Sequence, residues 1–94
     1  MKEIIFMSMQ GCPYCRNAKK AIAELKEENE KFSELKISEI DENEQPEQAK
    51  KFAKFYYYVP TMFVDGEKIY EAHPGESYEE CRKNIAKVFS AAVE

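Results

Sequence analysis

Several things are scarce in this chain of 94 residues, and each scarcity removes a class of protein. There is one histidine, His73, and there are three cysteines, Cys12, Cys15 and Cys81. An odd cysteine count this low does not support the disulfide framework of a small secreted domain. A structural zinc site normally takes four ligands and would have to recruit every one of those residues. Basic charge is not in excess either: 14 lysines and arginines face 18 acids, for a net charge of −4 and a pI near 5.1. A nucleic-acid binder usually shows a basic patch. The lysine cluster at 50, 51 and 54 is flanked by acids at 42, 44 and 47 and reads as a solvated helix face. Near the N-terminus only Ile4, Ile5, Phe6 and Met7 are apolar in succession. That is too short for the apolar core of a signal peptide or for a bilayer span, so a cytoplasmic protein is expected. No repeat, low-complexity run or linker interrupts the chain, and residues 1–94 read as a single domain.

What is present is material for a core: 44% hydrophobic residues, with six Phe and six Tyr, against 34% charged. A domain of this size buries only roughly 60–65% of its unfolded surface, so it depends on that supply. Residues 3–7 read as a short buried strand. From Pro13 the period changes. Ala18, Ala21, Ile22 and Leu25 form one helical stripe, and Pro13 suits the first turn, where its missing N–H costs nothing. This helix is expected to reach about Asn29, with Phe32 folding back to pack. Leu35, Ile37 and Ile40 mark a second strand ending at Asp41. Acids and Pro46 open a second helix, along which Ala49, Phe52, Ala53 and Tyr56 keep helical spacing, and which must end before Pro60. Residues 61–70 read as a hairpin turning on Asp65-Gly66. Ser77, with Glu80 three residues on, caps a last helix whose stripe is Tyr78, Cys81, Ile85, Val88, Phe89 and Ala92.

The order is βαβαββα, an α/β arrangement. It predicts a right-handed strand–helix–strand unit extended by an antiparallel hairpin: a four-stranded mixed sheet with helices on both faces. Tyr56, Tyr57 and Tyr58 read as a helix end packed beneath a loop. His73, Asp41 and Glu42 read as surface, and Cys81 as a small core residue.

The chemistry sits in Cys12-Pro13-Tyr14-Cys15, at the carboxyl end of the first strand and the start of the first helix. The first turn of a helix has unpaired N–H groups and a partial positive charge, which favours a thiolate at Cys12. Cys15 is expected one turn deeper, more covered and harder to ionise. That asymmetry suits thiol–disulfide exchange, in which Cys12 attacks and Cys15 resolves. Tyr14 is expected to project outward as an apolar contact for a substrate. Val59-Pro60-Thr61, ahead of the hairpin, supplies a second element. A cis peptide there, which the sequence by itself does not show, would leave the Val59 backbone free to pair with an extended substrate near Cys12, with Tyr58 beside it. The residues leave a rival open, a metal-binding or metal-delivery module built on the same Cys-x-x-Cys pair.

Cys-Pro-Tyr-Cys after a first strand, with Val-Pro-Thr before a hairpin, resembles a dithiol glutaredoxin of the thioredoxin superfamily, over nearly the whole chain. The resemblance implies a thioredoxin-like fold, a cis Pro60, Cys12 as nucleophile and Cys15 as resolving thiol. It implies a thiol–disulfide oxidoreductase that reduces protein or glutathione mixed disulfides, serving electron transport and cell redox homeostasis. It also implies no bound cofactor or metal, glutathione as a co-substrate paired with the Val59 backbone, and a monomer. The sequence departs from the family in two places. Met9 stands where many members carry a lysine. Where the family has Gly-Gly and a polar or acidic pair, this chain has Gly75, Glu76 and Ser77, of which Gly75 and Ser77 are the candidate contacts. A thioredoxin-reductase-type flavoprotein therefore stands beside glutathione as the expected reductant.

Overall fold

In the computed structural model, which describes residues 2–94, the apolar segments form four strands and four helices among the described residues. In chain order these are β1 (Ile4–Ser8), α1 (Pro13–Glu28), α2 (Glu30–Ser33), β2 (Ile37–Asp41), α3 (Pro46–Ala49), β3 (Thr61–Val64), β4 (Glu67–Glu71) and α4 (Tyr78–Val93). The sheet order is β2-β1-β3-β4. β1 runs parallel to β2, with Ile4 opposite Ile37 and Ser8 opposite Asp41. It runs antiparallel to β3, with Ile4 opposite Val64 and Met7 opposite Thr61. The expected order is thus realised with one short helix added. In that addition Asn29 caps α2 through the Lys31 N–H at 3.0 Å, and Phe32 packs edge-on against Phe89 at 5.3 Å.

Strand alternation divides the core into two layers. Ile4, Phe6, Met62, Val64 and Tyr70 turn toward α1 and α4, meeting Ala18, Ala21, Leu25, Ile85, Val88 and Phe89. Met7, Ile40 and Phe63 turn the other way, onto Ala49, Phe52 and Tyr56. Because both faces are covered, all four residues of β3 are buried. Ile37 and Ile40, three residues apart on β2, belong to opposite layers, as an odd separation along a strand requires. No helix among the described residues is long and apolar enough to cross a membrane.

The hairpin turns on Asp65 (φ 48°) and Gly66 (φ 86°), the paired positive φ values of a two-residue turn that follows the twist of its strands. Asp65 also exchanges two 2.9 Å hydrogen bonds with Glu3, tying the turn to the start of β1. A bulge follows. Met62 faces Tyr70 and Phe63 faces Lys68, so Ile69 is the extra residue and is exposed.

The second helix is shorter than its spacing predicts. α3 ends at Ala49, and from Lys51 the backbone bonds run from residue i to i−3: Lys51 N–H to Gln48, Phe52 N–H to Ala49, Phe55 N–H to Phe52. These are tight successive turns. They bring Phe52 to 5.1 Å and Tyr56 to 6.5 Å from the Phe63 ring, centroid to centroid, and deliver the chain to Pro60. The expected packing of all three tyrosines beneath a loop is also corrected. Tyr56 points inward, while Tyr57 is 80% and Tyr58 45% exposed.

Candidate active site

Gly11, at φ 82°, turns the chain out of β1, and the Cys12 N–H closes that turn on the Met9 carbonyl at 3.2 Å. Cys12 is left as the N-cap of α1, in extended backbone, with Pro13 at the first helical position. Its sulfur does what a capping oxygen usually does: Sγ accepts the Cys15 N–H at 3.3 Å. The other neighbour of that sulfur comes from far along the chain, for the Cys12 thiol reaches the Val59 carbonyl oxygen at 3.8 Å. The Val59–Pro60 peptide is cis. Among the described residues the Val59 N–H finds no partner, so the residue whose carbonyl meets the half-buried Cys12 keeps an unpaired backbone donor.

Cys15 is buried, at 3% exposure, and both thiols are free. Burial first, and then the Cys12 sulfur beside it, push the Cys15 thiol up to about 12, against an ordinary value near 9.0. One sulfur is therefore placed at a helix start within reach of solvent, and the other is held as a covered thiol one turn on. Among the described residues no three His, Cys, Asp or Glu side chains converge into a metal-binding group.

A cleft of about 470 Å³ opens between the starts of α1 and α3, lined in part by Met9, Cys12, Arg16, Lys19, Asp41 and Gln45. Lys19 is committed there, with Nζ 3.1 Å from Glu39, which also accepts the Ser8 hydroxyl at 2.7 Å. Arg16 makes no ion pair among the described residues.

Tyr14 departs from expectation. It is half-buried, and its hydroxyl accepts the Gly75 N–H at 2.9 Å. It stitches the Cys-x-x-Cys turn to the loop before α4 instead of projecting outward as an apolar contact, because a phenol beside a loop amide gains more by taking its donor. Ser77 is likewise occupied as a cap, its Oγ accepting the Glu80 N–H at 3.1 Å. Glu76 is buried and turned inward: Tyr70 donates its hydroxyl to Glu76 Oε1 at 2.5 Å and also lies 3.5 Å from Cys81 Sγ. Burial first, then these partners, push the Tyr70 hydroxyl far up, and burial raises the Cys81 thiol. Cys81 is thus a core residue, as its helical spacing predicts, but one with a polar neighbour. The structure therefore brings Cys12, Cys15, Val59 and Pro60 into one place, with Tyr58 at its edge. Gly75 joins through Tyr14, and Ser77 stays at the head of α4.

The sequence reading missed Glu71. Its carboxylate accepts the N–H groups of Tyr57 and Tyr58, at 2.7 and 2.8 Å, and so braces the segment leading to the cis proline. Strand alternation was the available signal. With Tyr70 facing α4, Glu71 must face the opposite layer, where that segment lies.

The family profile described as Glutaredoxin-like domain matches residues 3–88. The chain belongs to the glutaredoxin-like domain family. Solved thioredoxins and glutaredoxins share its fold. It is similar to thioredoxin from Fasciola hepatica (17% identity, 97% of this chain and 80% of that one, TM-score 0.63). It is similar to thioredoxin 1 from Thermosipho africanus (19%, 98% and 99%, TM-score 0.56). It is also similar to glutaredoxin 1 from Francisella tularensis in a complex with cacodylate (21%, 96% and 99%, TM-score 0.52). At these identities the likeness is one of fold. No curated protein matches the chain. A glutaredoxin-like, thioredoxin-type fold presenting a dithiol at a helix start supports a thiol-redox role.

Proposed function

We propose that this protein is a thiol–disulfide oxidoreductase that reduces protein disulfides or glutathione mixed disulfides through Cys12 and Cys15. The observation that carries the reading is the setting of Cys12 Sγ, which caps α1 through the Cys15 N–H and lies against the carbonyl of Val59 ahead of the cis proline. That sulfur stands at the head of a helix, where the backbone presents N–H donors, and is within reach of solvent.

In the first step the Cys12 thiolate attacks one sulfur of the substrate disulfide. The substrate S–S bond breaks, its other sulfur leaves as a thiolate and takes a proton from solvent, and Cys12 is left in a mixed disulfide. The free Val59 N–H is suited to holding an extended substrate backbone during this step. In the second step Cys15 loses its proton and attacks Cys12 Sγ. The bond to the substrate breaks, the substrate sulfur leaves and is protonated, and a Cys12–Cys15 disulfide remains, two electrons having passed to the substrate. Cys15 is resistant to ionisation in the dithiol partly because of the Cys12 sulfur beside it. Once Cys12 is in a mixed disulfide, its sulfur no longer carries charge and that part of the resistance lapses. Burial, the larger cause, remains, so the intermediate eases the ionisation of Cys15 without restoring its ordinary value.

An external reductant, glutathione or a thioredoxin-reductase-type flavoprotein, returns the dithiol. The inward turn of Glu76 removes a carboxylate from the face that a glutathione carboxylate would approach. The test is turnover of a small disulfide with glutathione and its reductase, compared with thioredoxin reductase as electron source. Cys12→Ser is expected to abolish turnover. Cys15→Ser is expected to trap the mixed disulfide, visible as an added mass on Cys12. Undiminished turnover by Cys12→Ser would overturn the assignment.

A further inference from the structure

The segment that delivers Val59 to the nucleophile carries exposed rings. Phe55 is 60%, Tyr57 80% and Tyr58 45% exposed, all within the four residues that precede Val59. Tyr57 and Tyr58 lie ring to ring at 4.8 Å, inclined by 32°. The segment is braced. Glu71 holds the Tyr57 and Tyr58 amides, Lys68 holds Glu71 at 2.6 Å, and the Thr61 hydroxyl donates to the Tyr58 carbonyl at 2.5 Å. Tyr56 is meanwhile turned inward, its hydroxyl bonded to Glu42. The neighbouring rings are thus held outward on fixed backbone. Apolar surface left in water forgoes roughly 25 cal/mol per Å², so a rigid platform of this kind is favourable ground for a partner.

Charge narrows the partner. Lys50, Lys51 and Lys54 are exposed on the turns that lead to Phe55. None of them is in an ion pair among the described residues, although Glu47 stands one turn before Lys50 and Lys51. On a chain of net charge −4 these three lysines lie within the five residues before Phe55, on the segment that ends at Val59 against the Cys12 sulfur. Glutathione has no aromatic group and ends within a residue of its cysteine. A polypeptide does not.

We propose that Phe55, Tyr57 and the Lys50, Lys51 and Lys54 rim form a docking surface for an extended, acidic polypeptide segment carrying an aromatic side chain next to the substrate cysteine. This rests on the oxidoreductase reading above and names its substrate class. A segment paired with the Val59 backbone would run along the rings, its acids meeting the lysines.

The test needs no assigned reductant. The fully reduced protein is mixed with disulfide-linked dimers of three short peptides, each with a central cysteine: acidic with phenylalanine, basic with phenylalanine, and acidic with serine in place of phenylalanine. Hydroxyethyl disulfide serves as the small reference. The second-order rate of peptide thiol release is divided by the reference rate. The acidic aromatic peptide is expected to lead the other two by about tenfold, a difference of about 1.4 kcal/mol. That lead is expected to shrink several-fold in Tyr57→Ser with Phe55→Ser, in the triple Lys50→Ala, Lys51→Ala, Lys54→Ala, and on raising salt from about 50 mM to about 500 mM. Equal ratios for the three peptides, or a lead that survives the variants, would overturn the proposal. So would concentration-dependent dimerisation lost in Tyr57→Ser, since a second copy would then be the occupant. If the wild-type protein reduces no disulfide at all, the oxidoreductase reading fails separately. Docking is then read from amide chemical shifts at residues 50–58 on titration with the acidic aromatic peptide in its cysteine-to-serine form. No shift there would overturn the docking surface too.

Discussion

Cys15 makes a sharp quantitative test, because its thiol is pushed to about 12 from an ordinary 9.0. At about pH 7 a thiol with the ordinary value is ionised in about one molecule per hundred, and one at about 12 in about one per hundred thousand. Only the thiolate alkylates at a useful rate, so Cys15 should react with iodoacetamide about a thousandfold more slowly than an unstructured cysteine. The assay is brief exposure of the reduced protein to limiting reagent, acid quench, digestion and mass mapping of the first site modified. Label is expected on Cys12, with Cys15 and the equally buried Cys81 spared. Between pH 8 and 11 the Cys15 rate is expected to climb about tenfold per pH unit without levelling. The Cys12 sulfur is the second cause of the shift after burial, so Cys12→Ala should quicken Cys15 while leaving it slower than a free cysteine. The thermodynamic sign agrees. The unfolded chain ionises this group first, so its contribution to stability is complete below about pH 9 and is lost as pH rises toward 12. A Cys15 rate that levels near pH 9, or that matches Cys12 at neutral pH, would refute the covered-thiol argument and the assignment of Cys15 as the resolving thiol.

Three other outcomes follow from the geometry. Glu76 Oε1 is the 2.5 Å acceptor of the buried Tyr70 hydroxyl, and Oε2 has no partner among the described residues. Glu76→Ala should therefore cost about 1–3 kcal/mol in urea unfolding, and Glu76→Gln, which keeps an acceptor, less; the reverse order would contradict this account. His73 is raised by the Pro74 carbonyl and then by Glu80, whereas Glu80 is lowered by His73 and then by the Ser77 backbone. The His73 contribution is complete below about 6.5 and fades as pH rises through its folded value. That of Glu80 is present above about 4.5 and fades on acidification, so the pair acts mainly between those limits. An NMR titration should show the His73 midpoint falling in Glu80→Gln, and an unmoved midpoint would remove the pair. Phe63 carries the second core layer against Phe52 and Tyr56, and Phe63→Ala should cost about 3–5 kcal/mol, lowering Tm by on the order of 15 °C or more in calorimetry.

The elements that were legible in the sequence are those whose cause lies within a few residues. Ala18, Ala21 and Leu25 recur at helical spacing, and α1 buries all three. Asp65-Gly66 supplies two adjacent positive φ values, Ser77 caps α4 through the Glu80 amide, and Cys12 stands at a helix start because Gly11 turns and Pro13 begins. Helical period alone misjudged residues 50–56. The same spacing of Ala49, Phe52 and Tyr56 serves a run of tight turns, and what selects the turns is the Phe63 ring beneath them and the need to reach Pro60.

The chain by itself determined the order of strands and helices and which sulfurs stand at a helix N-terminus, because periodicity, capping and turn chemistry act between near neighbours. Only tertiary structure decided that Cys12 meets Val59, 47 residues on, that Tyr14 takes the Gly75 amide, 61 residues on, and that Glu76 turns inward while Tyr57 turns out. A buried or half-buried polar group takes whichever partner the folded chain brings within about 3 Å, and sequence spacing carries no record of that distance.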